Sequence, residues 1–310
     1  MNLDDKIYVA GHRGLVGSAI LRALERGGFT QVVVRTHAEL DLTDRAAVDA
    51  FFARERPSHG ILAAARVGGI VANATYPADF IRDNLAIELN VIDAAHRFGC
   101  GRLLFLGSSC IYPRDCPQPI REEYLLTGPL ETTNSAYAVA KIAGIEMARA
   151  YRRQYGDRFI AVMPTNLYGP GDNYDLQTSH VLPALIRKLV EAKQAGAPTM
   201  TVWGTGRPRR EFLHADDLAD ACLFLLEHYD GDQILNIGTG RDCTIAELAA
   251  MVAAAVGYTG ELVFDPTQPD GTPQKLLDVR RLTALGWQAK ISLCDGINRT
   301  VAEYLEQGGG

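Results

Sequence analysis

The chain has 310 residues, of which 47% are hydrophobic and 22% are charged, and its formal net charge at pH 7 is −6. This composition is typical of a globular protein with about two domains, or with one large domain and an added lobe. The negative charge argues against nucleic acid as a partner, and no apolar stretch approaches the roughly 18 residues that a membrane span needs, so we expect no membrane either.

In the first half of the chain, short apolar runs rich in β-branched residues alternate with stretches of helix length. The predicted strands are Ile7–Ala10, 31–35, 60–65, 102–107 and 159–163. The predicted helices are Leu15–Arg26, 46–55, 78–98 and 136–155. Continuous apolar strands that alternate with helices indicate βαβ units, in which a parallel sheet is covered on both faces. The predicted fold class is therefore α/β, with a doubly wound parallel sheet of the Rossmann type.

The pattern changes after Asn166, where loops rich in Gly and Pro separate the next elements. Helices are predicted at Val181–Gln194 and 246–256, and a strand at 200–204. This part is expected to form a smaller C-terminal α/β lobe that binds the substrate. We therefore expect a nucleotide-binding domain over 1–166, with returning segments from the C-terminal half, and a lobe formed mainly by 167–310.

A glycine loop follows the first predicted strand and opens the first predicted helix. The loop consists of Gly11, His12, Arg13, Gly14, Leu15, Val16 and Gly17. Glycines let the backbone approach a pyrophosphate, and the N-terminus of the helix then stabilises the negative charge. The strand before the loop and the helix after it are the required context, so the pattern predicts a dinucleotide site.

The second predicted strand ends at Arg35, where a site selective for NAD usually carries Asp or Glu for the ribose hydroxyls. Two guanidiniums, Arg13 and Arg35, suit a 2′-phosphate, so the pattern favours NADP(H) as the cofactor. The alternative interpretation is that Arg35 is a solvated residue at the end of a strand.

Tyr137 and Lys141 are spaced i, i+4 in a predicted helix, which places both side chains on one face. A neighbouring ammonium favours the phenolate, so the pattern predicts that Lys141 brings the pKa of Tyr137 closer to neutrality. Ser108 ends the fourth predicted strand, at the sheet edge where ligands bind, and is predicted to hydrogen-bond the reacting oxygen. Together the three residues predict hydride transfer with proton donation to a developing alkoxide, although Ser108 alone could be an ordinary turn or cap residue.

The most basic part of this acidic chain follows in the second half. It contains Arg187, Lys188, Arg207, Arg209 and Arg210. Such a cluster suits a diphosphate, and Trp203 beside it could stack on a base or a sugar face. The alternative interpretation of the Arg-Pro-Arg-Arg stretch is a solvated loop.

Several longer segments resemble one family. They are Ala-Gly-His-Arg-Gly (10–14), Val-Gly-Gly-Ile-Val-Ala-Asn (67–73), Leu-Gly-Ser-Ser-Cys-Ile-Tyr-Pro (106–113), Pro-Thr-Asn-Leu-Tyr-Gly-Pro (164–170) and Arg-Glu-Phe-Leu-His (210–214). On these segments the chain resembles the extended short-chain dehydrogenase/reductase family nearly end to end. Within that family it is similar to the enzymes that epimerise a GDP-bound 4-keto-6-deoxy sugar at C3 and C5 and reduce it at C4.

The resemblance implies roles for individual residues. It assigns Ser108, Tyr137 and Lys141 to reduction, and Cys110 and His180 to epimerisation. Beyond the glycine loop and Arg35, it implies cofactor contacts by Asp41, Leu42, Leu106, Gly107, Ser109, Lys141, Pro164, Thr165, Asn166, Leu167 and His180. It implies contacts to a GDP-sugar substrate by Lys188, Trp203, Arg210 and Asp270. One position departs from the family pattern, since His37 stands where a more basic residue is usual.

The resemblance also implies a homodimer in which the two long helices flanking the sheet, predicted at 78–98 and 136–155, pair across a two-fold axis. The N-terminus, Met-Asn-Leu-Asp-Asp-Lys, has neither the basic nor the apolar region of a signal peptide, so we expect a cytoplasmic location. The six cysteines include no C-x-x-C pair, so we expect free thiols and no metal site.

Other functions remain open at this level. Another sugar-nucleotide epimerase or dehydratase of the same family, such as a UDP-sugar 4-epimerase, shares the glycine loop, the serine and the Tyr/Lys pair. Arg13 with Arg35, and Cys110 with His180, favour instead a net reductase that consumes NADPH. A non-catalytic NADP-sensing protein predicts a broken Tyr/Lys pair, and a scaffold protein leaves the pair unexplained.

Overall fold

The computed structural model describes residues 1–268 and 270–308. The strands are β1 (Ile7–Ala10), β2 (Val32–Val33), β3 (His59–Leu62), β4 (Arg102–Leu106), β5 (Arg158–Pro164), β6 (Asn166–Tyr168), β7 (Thr199–Trp203), β8 (Arg209–His214), β9 (Leu235–Ile237), β10 (Asp242–Thr244), β11 (Glu261–Asp265) and β12 (Gln274–Lys275). The α-helices are α1 (Leu15–Arg26), α2 (Arg45–Glu55), α3 (Ile70–Thr75), α4 (Pro77–Arg97), α5 (Ser135–Tyr155), α6 (Val181–Gln194), α7 (Ala215–His228), α8 (Ile245–Val256), α9 (Arg280–Ala284) and α10 (Leu293–Glu306).

The largest sheet has six strands in the order β2-β1-β3-β4-β5-β9, and all of its neighbouring strands are parallel. Alternate residues of β1 enter different cores: Tyr8 and Ala10 pack with α2, α4 and α5, while Ile7 and Val9 pack with α1 and α7. Because helices cover both faces, every side chain of β1 is buried. The predicted doubly wound parallel sheet is confirmed.

The second predicted strand is wrong in its length. Only Val32 and Val33 pair with β1, so Arg35 lies beyond the strand and not at its end. The chain turns away there because the N–H and hydroxyl of Thr36 both donate to the carboxylate of Glu39. The third strand likewise covers His59–Leu62 and not 60–65, since β3 pairs with β1 only as far as Ala10.

The remaining strands form two smaller sheets. One contains β10-β8-β12, with β6 paired to β8, and the other pairs β7 with β11. Helices α6, α8 and α10 enclose a third core against these strands. Helix α8 begins with a capping box in which Thr244 and Glu247 satisfy each other's backbone N–H groups. Of the helices in the described ranges, none combines the length and the apolarity that crossing a bilayer requires.

A buried carboxylate on β8 holds the smaller sheet to the loop after β9. Glu211 Oε1 accepts the N–H groups of Thr239 and Gly240, at 2.6 and 2.7 Å, and Oε2 accepts that of Leu277 at 2.9 Å. Burial raises the pKa of Glu211, and these N–H groups oppose the shift. One side chain therefore joins three segments that are distant in sequence.

Replacing Glu211 by Gln should destabilise the protein by about 2 to 4 kcal/mol, because an amide cannot accept all three buried N–H groups. The measurement is urea unfolding followed by circular dichroism. Glu261→Gln is the matched control, since Glu261 is exposed at the start of β11. Equal midpoints for the two variants would show that Glu211 does not hold these segments together.

Candidate functional site

The glycine loop lies where β1, α1 and the residues after β3 approach most closely. Gly11 has a positive φ of 83°, and a β-carbon there would lie 2.7 Å from the backbone N of Ala64. A β-carbon at Gly17 would lie 2.1 Å from the carbonyl oxygen of Gly11. Gly14 is the N-cap of α1, and within the described residues no side chain caps it. The first N–H groups of α1 therefore point to where a pyrophosphate fits.

The two arginines predicted to bind a 2′-phosphate lie beside one turn. Arg13 is exposed, and both Arg13 and Arg35 lower the pKa of Glu39, although its hydrogen bonds with Thr36 contribute most to that shift. The guanidinium of Arg35 is paired with Glu55 at 2.8 Å. The structure therefore brings the two arginines to one place, but Arg35 is not a free solvated cation.

Asp41 and Leu42, two further residues predicted to bind the cofactor, lie in a short loop that follows Glu39. The Asp41 carboxylate accepts the N–H of Thr43, and the His37 ring lies 3.9 Å from that carboxylate. Leu42 is buried, and its carbonyl accepts a hydrogen bond from the side chain of Asn90 on α4.

Other predicted cofactor residues lie at the carboxyl ends of β4 and β5, which are neighbours in the sheet. Leu106 ends β4, and a β-carbon at Gly107 would lie 2.5 Å from the Met163 sulfur. Pro164 ends β5, and the next residue, Thr165, donates its N–H to the carbonyl of Ile237. These backbones meet at the edge where parallel sheets bind ligands.

Asn166 and Leu167, which follow Thr165, are bound to the smaller sheet. The Asn166 side chain donates to the carbonyl of Glu211 at 2.8 Å, and Leu167 pairs with Leu213 between β6 and β8. The edge of the large sheet and the smaller sheet are therefore joined beside the predicted cofactor site.

Ser108, Cys110 and Tyr137 come together just after β4. Ser108 caps a short 3-10 turn that contains Ser109, which is buried, and Cys110, whose N–H donates to Ser108 Oγ at 3.2 Å. The Ser108 side chain also makes a hydrogen bond with the Tyr137 phenol, and Cys110 lies close enough to raise its pKa. The structure thus places the predicted reduction residues and the predicted epimerisation thiol around one point.

Lys141 lies one helical turn after Tyr137, with its ammonium 5.9 Å from the Tyr137 ring centroid. The ammonium donates to the carbonyl of Leu106 at 3.0 Å and lies 4.6 Å from the Phe105 ring centroid. It also pairs with Glu88 of α4 at 3.3 Å, and only 2% of either side chain is exposed. Burial lowers the pKa of Lys141, and Glu88 opposes that shift.

The predicted effect of Lys141 on Tyr137 is wrong. The pKa of Tyr137 is raised and not lowered, chiefly because burial disfavours the phenolate, with Cys110 and Glu88 adding to the shift. The hydrogen bond with Ser108 opposes it without reversing it. The phenol is therefore held in its protonated form, which is the form that can donate a proton.

Lys275 connects Cys110 to His180. Its ammonium donates to Cys110 Sγ at 3.7 Å. His180 is the N-cap residue of α6, and its pKa is lowered first by loss of water around the ring and then by the Lys275 ammonium. Lys275, from the second half of the chain, therefore contacts the thiol after β4 and lies close enough to His180 to act on its charge.

The predicted substrate residues lie on the second half of the chain. The Lys188 ammonium sits 4.6 Å from the ring centroid of Trp203, which is 59% exposed. Asp270 accepts the N–H and the hydroxyl of Thr205, both at 2.7 Å, and its pKa is lowered by these bonds and then by nearby arginines that include Arg210. Burial lowers the pKa of both Lys188 and Arg210.

The basic cluster seen in the sequence is divided in the structure. Arg187 pairs with Glu191 at 2.7 Å, and Arg209 pairs with Asp242 at 2.8 Å. The charges of Arg187 and Arg209 are therefore balanced by neighbouring carboxylates. Arg207 is exposed to solvent. Of the predicted diphosphate cluster, Lys188, Arg207 and Arg210 have no ion-pair partner among the described residues and are the cations left to meet an anionic ligand.

Sequence reasoning missed two residues of the site, Glu88 and Lys275. Glu88 had a detectable signal, because Asn84 and Glu88 are polar residues spaced i, i+4 in a helix predicted to flank the sheet. Both are buried. Lys275 had no such signal, since its position depends on β12 pairing with β8.

The chain is similar to known proteins over nearly its whole length. Residues 7–238 match the model of the NAD dependent epimerase/dehydratase family. The chain is 60% identical over 301 residues to GDP-L-fucose synthase 1 of Arabidopsis thaliana, over 97% of this chain and 93% of that one. It is 54% identical over 310 residues to GDP-L-fucose synthase of Escherichia coli (strain K12), over 97% of both chains. The solved GDP-L-fucose synthetase from Naegleria fowleri bound to NADP has a TM-score of 0.91 at 29% identity, over 99% of this chain and 96% of that one.

Replacing Gly17 by Ala should destabilise the free protein by at least about 2 kcal/mol, because the new β-carbon collides with the carbonyl oxygen of Gly11. Gly14→Ala is the matched control, since its β-carbon would have its nearest neighbour at 3.6 Å, and it should change stability by less than about 1 kcal/mol. Thermal unfolding measures both. A Gly17→Ala variant as stable as Gly14→Ala would contradict the close packing of this loop.

Proposed function

Because the chain belongs to the NAD dependent epimerase/dehydratase family, we propose that it acts as a GDP-L-fucose synthase. It epimerises GDP-4-keto-6-deoxy-D-mannose at C3 and C5 and then reduces the C4 ketone with NADPH. The observation that carries this proposal is the convergence of two sets of groups on one space. Ser108 and Tyr137 meet Cys110 there, and Lys275 contacts that thiol and acts electrostatically on His180.

The epimerisation follows from the acidity that a C4 ketone confers on the hydrogens at C3 and C5. Cys110 acts as the base that removes such a proton, and His180 is its partner in returning a proton on the opposite face. Burial and the Lys275 ammonium lower the pKa of His180 and favour its neutral imidazole, so His180 must take up a proton from solvent before it can return one to carbon. Ser108 and Tyr137 donate hydrogen bonds to the C4 oxygen while the enolate exists.

The reduction uses the same two donors at the same oxygen. When bound, NADPH supplies the hydride for C4. Tyr137 then gives its proton to the developing alkoxide, and its raised pKa keeps the phenol protonated until that moment. Lys141 faces the phenolate that is left behind, and Ser108 holds the sugar oxygen in place.

The residues around the predicted cofactor site suit NADP(H). The glycine loop brings the N-terminus of α1 to the pyrophosphate, and Arg13 and Arg35 flank the place proposed for a 2′-phosphate. The residues that end β4 and β5, together with Asp41 and Leu42, complete the proposed cofactor site.

The GDP part of the substrate is assigned to the second half of the chain. Trp203 offers an exposed ring for stacking, and Lys188 and Arg210 offer charges to the diphosphate. Asp270 is held by Thr205 near Arg210, where its carboxylate can accept hydrogen bonds from a ribose or a base.

Single substitutions should affect the epimerisation at C3 and C5 and the reduction at C4 to different extents. The wild type, given GDP-4-keto-6-deoxy-D-mannose and NADPH, should oxidise NADPH and, in deuterated water, incorporate deuterium at C3 and C5. Cys110→Ala should lose most of the deuterium incorporation, and any reduced product should keep the unepimerised configuration. Tyr137→Phe should reduce the ketone roughly 10² to 10⁴ times more slowly, while carbon exchange persists at a lower rate.

Matched controls are Cys294→Ala, an exposed thiol on α10, and Tyr155→Phe, an exposed phenol at the end of α5. Both should behave as the wild type. Deuterium exchange at the wild-type rate in Cys110→Ala, or NADPH oxidation at full rate in Tyr137→Phe, would contradict this division of roles.

The proposed assembly is a homodimer through α4 and α5. These helices pack on each other beside the sheet, and Leu85 and Leu89 on α4 and Val139 on α5 leave apolar surface exposed. Leu85 and Leu89 are one turn apart, so they form a continuous apolar strip that a second copy of the chain could cover.

A variant with Leu85→Lys and Leu89→Lys should be monomeric at micromolar concentration, because the two new ammonium groups of each copy would be buried against those of its partner across the two-fold axis. Light scattering coupled to gel filtration measures the mass. Leu305→Lys, on an exposed leucine of α10, should leave the mass unchanged. A monomeric wild type, or a dimeric double variant, would contradict this assembly.

A further inference from the structure

Beneath the proposed active site lies a buried acidic side chain that no step above uses. Glu88 comes from the middle of α4, and its carboxylate lies 3.3 Å from the ammonium of Lys141 on α5. Each of the two side chains exposes only 2% of its surface. A charged pair taken this far out of water needs a close partner for each charge, or one of the two groups becomes neutral.

Space for this carboxylate depends on Gly144, one turn after Lys141 on α5. A β-carbon at Gly144 would lie 2.8 Å from Glu88 Oε2 and 2.5 Å from the Phe105 ring. No longer side chain fits there while Glu88 keeps its place. Burial raises the pKa of Glu88 to about 7, while the Lys141 ammonium and the Gly144 N–H act in the opposite direction.

We propose that Glu88 is a positioning residue for the reduction, because its carboxylate keeps Lys141 charged at its place 5.9 Å from the Tyr137 ring centroid. This role rests on the proposed function. When Tyr137 gives up its proton it becomes a phenolate, and the ammonium beside it stabilises the new charge. Without a carboxylate partner, an ammonium in this dry pocket would lose its proton more easily, and that stabilisation would disappear.

Among the described residues, the other titratable groups beside the pair come from α5 and from the turn after β4. Helix α5 contributes Tyr137, and the 3-10 turn after β4 contributes Cys110, which lies next to that phenol. Strand β4 presents the Phe105 ring and the Leu106 carbonyl, and the carbonyl accepts a hydrogen bond from Lys141. Burial is therefore the largest influence on the charge of Lys141, and Glu88 is the carboxylate that opposes it.

The test is the pH dependence of reduction in Glu88→Gln, which keeps the shape of the side chain and removes its charge. Loss of the carboxylate lowers the pKa of Lys141 further, so the rate should begin to fall at a lower pH than in the wild type. We expect the basic limb of the kcat profile to move down by at least about one pH unit. At pH 8 kcat should fall by at least about tenfold, whereas KM should change by less than about threefold.

Glu146→Gln is the matched control, because Glu146 is a solvent-facing carboxylate on α5 paired with Arg149. It should keep the wild-type profile. Glu88→Asp retains the charge, so its basic limb should stay close to that of the wild type even where its rate is lower. A purely structural role for Glu88 would lower the rate of both variants without moving either limb.

If the basic limb of the kcat profile of Glu88→Gln lies at the same pH as in the wild type, the proposal is overturned. If Glu88→Gln does not fold, Gly144→Ala becomes the second variant, because its methyl group collides with the Glu88 carboxylate at 2.8 Å as well as with the Phe105 ring at 2.5 Å, and so displaces the carboxylate from Lys141. Its limb should move in the same direction, and an unmoved limb would equally overturn the role of Glu88.

Failure of the proposed function has a different signature. A wild type that neither oxidises NADPH nor exchanges deuterium would refute the proposed function, and the role of Glu88 with it. A wild type that does both, beside an unchanged Glu88→Gln profile, would refute only the role of Glu88.

Discussion

A lysine ammonium buried at the edge of an apolar sheet is the constraint on which the proposed site depends. Removing such a charge from water costs several kcal/mol unless partners surround it. Lys141 finds those partners on three elements: a carbonyl and an aromatic ring of β4, a carboxylate of α4 and its own helix. Satisfying the charge fixes α4, α5 and β4 relative to one another. Ser108 follows β4 directly, and Tyr137 lies one turn before Lys141, so both reach their positions as a result.

The second half of the chain is tied to this arrangement through β8 and β12. Arg210 and Lys275 are partners in the parallel pairing of these two strands. The same register therefore places Arg210 toward the proposed diphosphate and Lys275 against Cys110. Glu211, next to Arg210, points the opposite way and is anchored by buried N–H groups. Strand β8 thus carries the anchoring carboxylate of Glu211 on one face and the guanidinium of Arg210 on the other.

Local patterns in the sequence predicted most of the fold and part of the site. Helix α1 begins and ends where its apolar periodicity does, and the i, i+4 spacing of Tyr137 and Lys141 placed them on one face. What escaped prediction depends on partners distant in sequence. Arg35 is paired with Glu55, and the pKa of Tyr137 rises with burial, which no local pattern reports. Lys275 is brought to Cys110 only by tertiary pairing.

The last strand of the large sheet, β9, has a consequence for how the chain is made. About 70 residues separate the end of β5 from the start of β9, so a ribosome adding roughly 5 to 20 residues per second takes several seconds to deliver that strand. Until then the open edge of β5 presents unpaired backbone groups, a surface on which nascent chains can associate. During that interval the growing chain therefore exposes an edge at β5 that the finished sheet does not have.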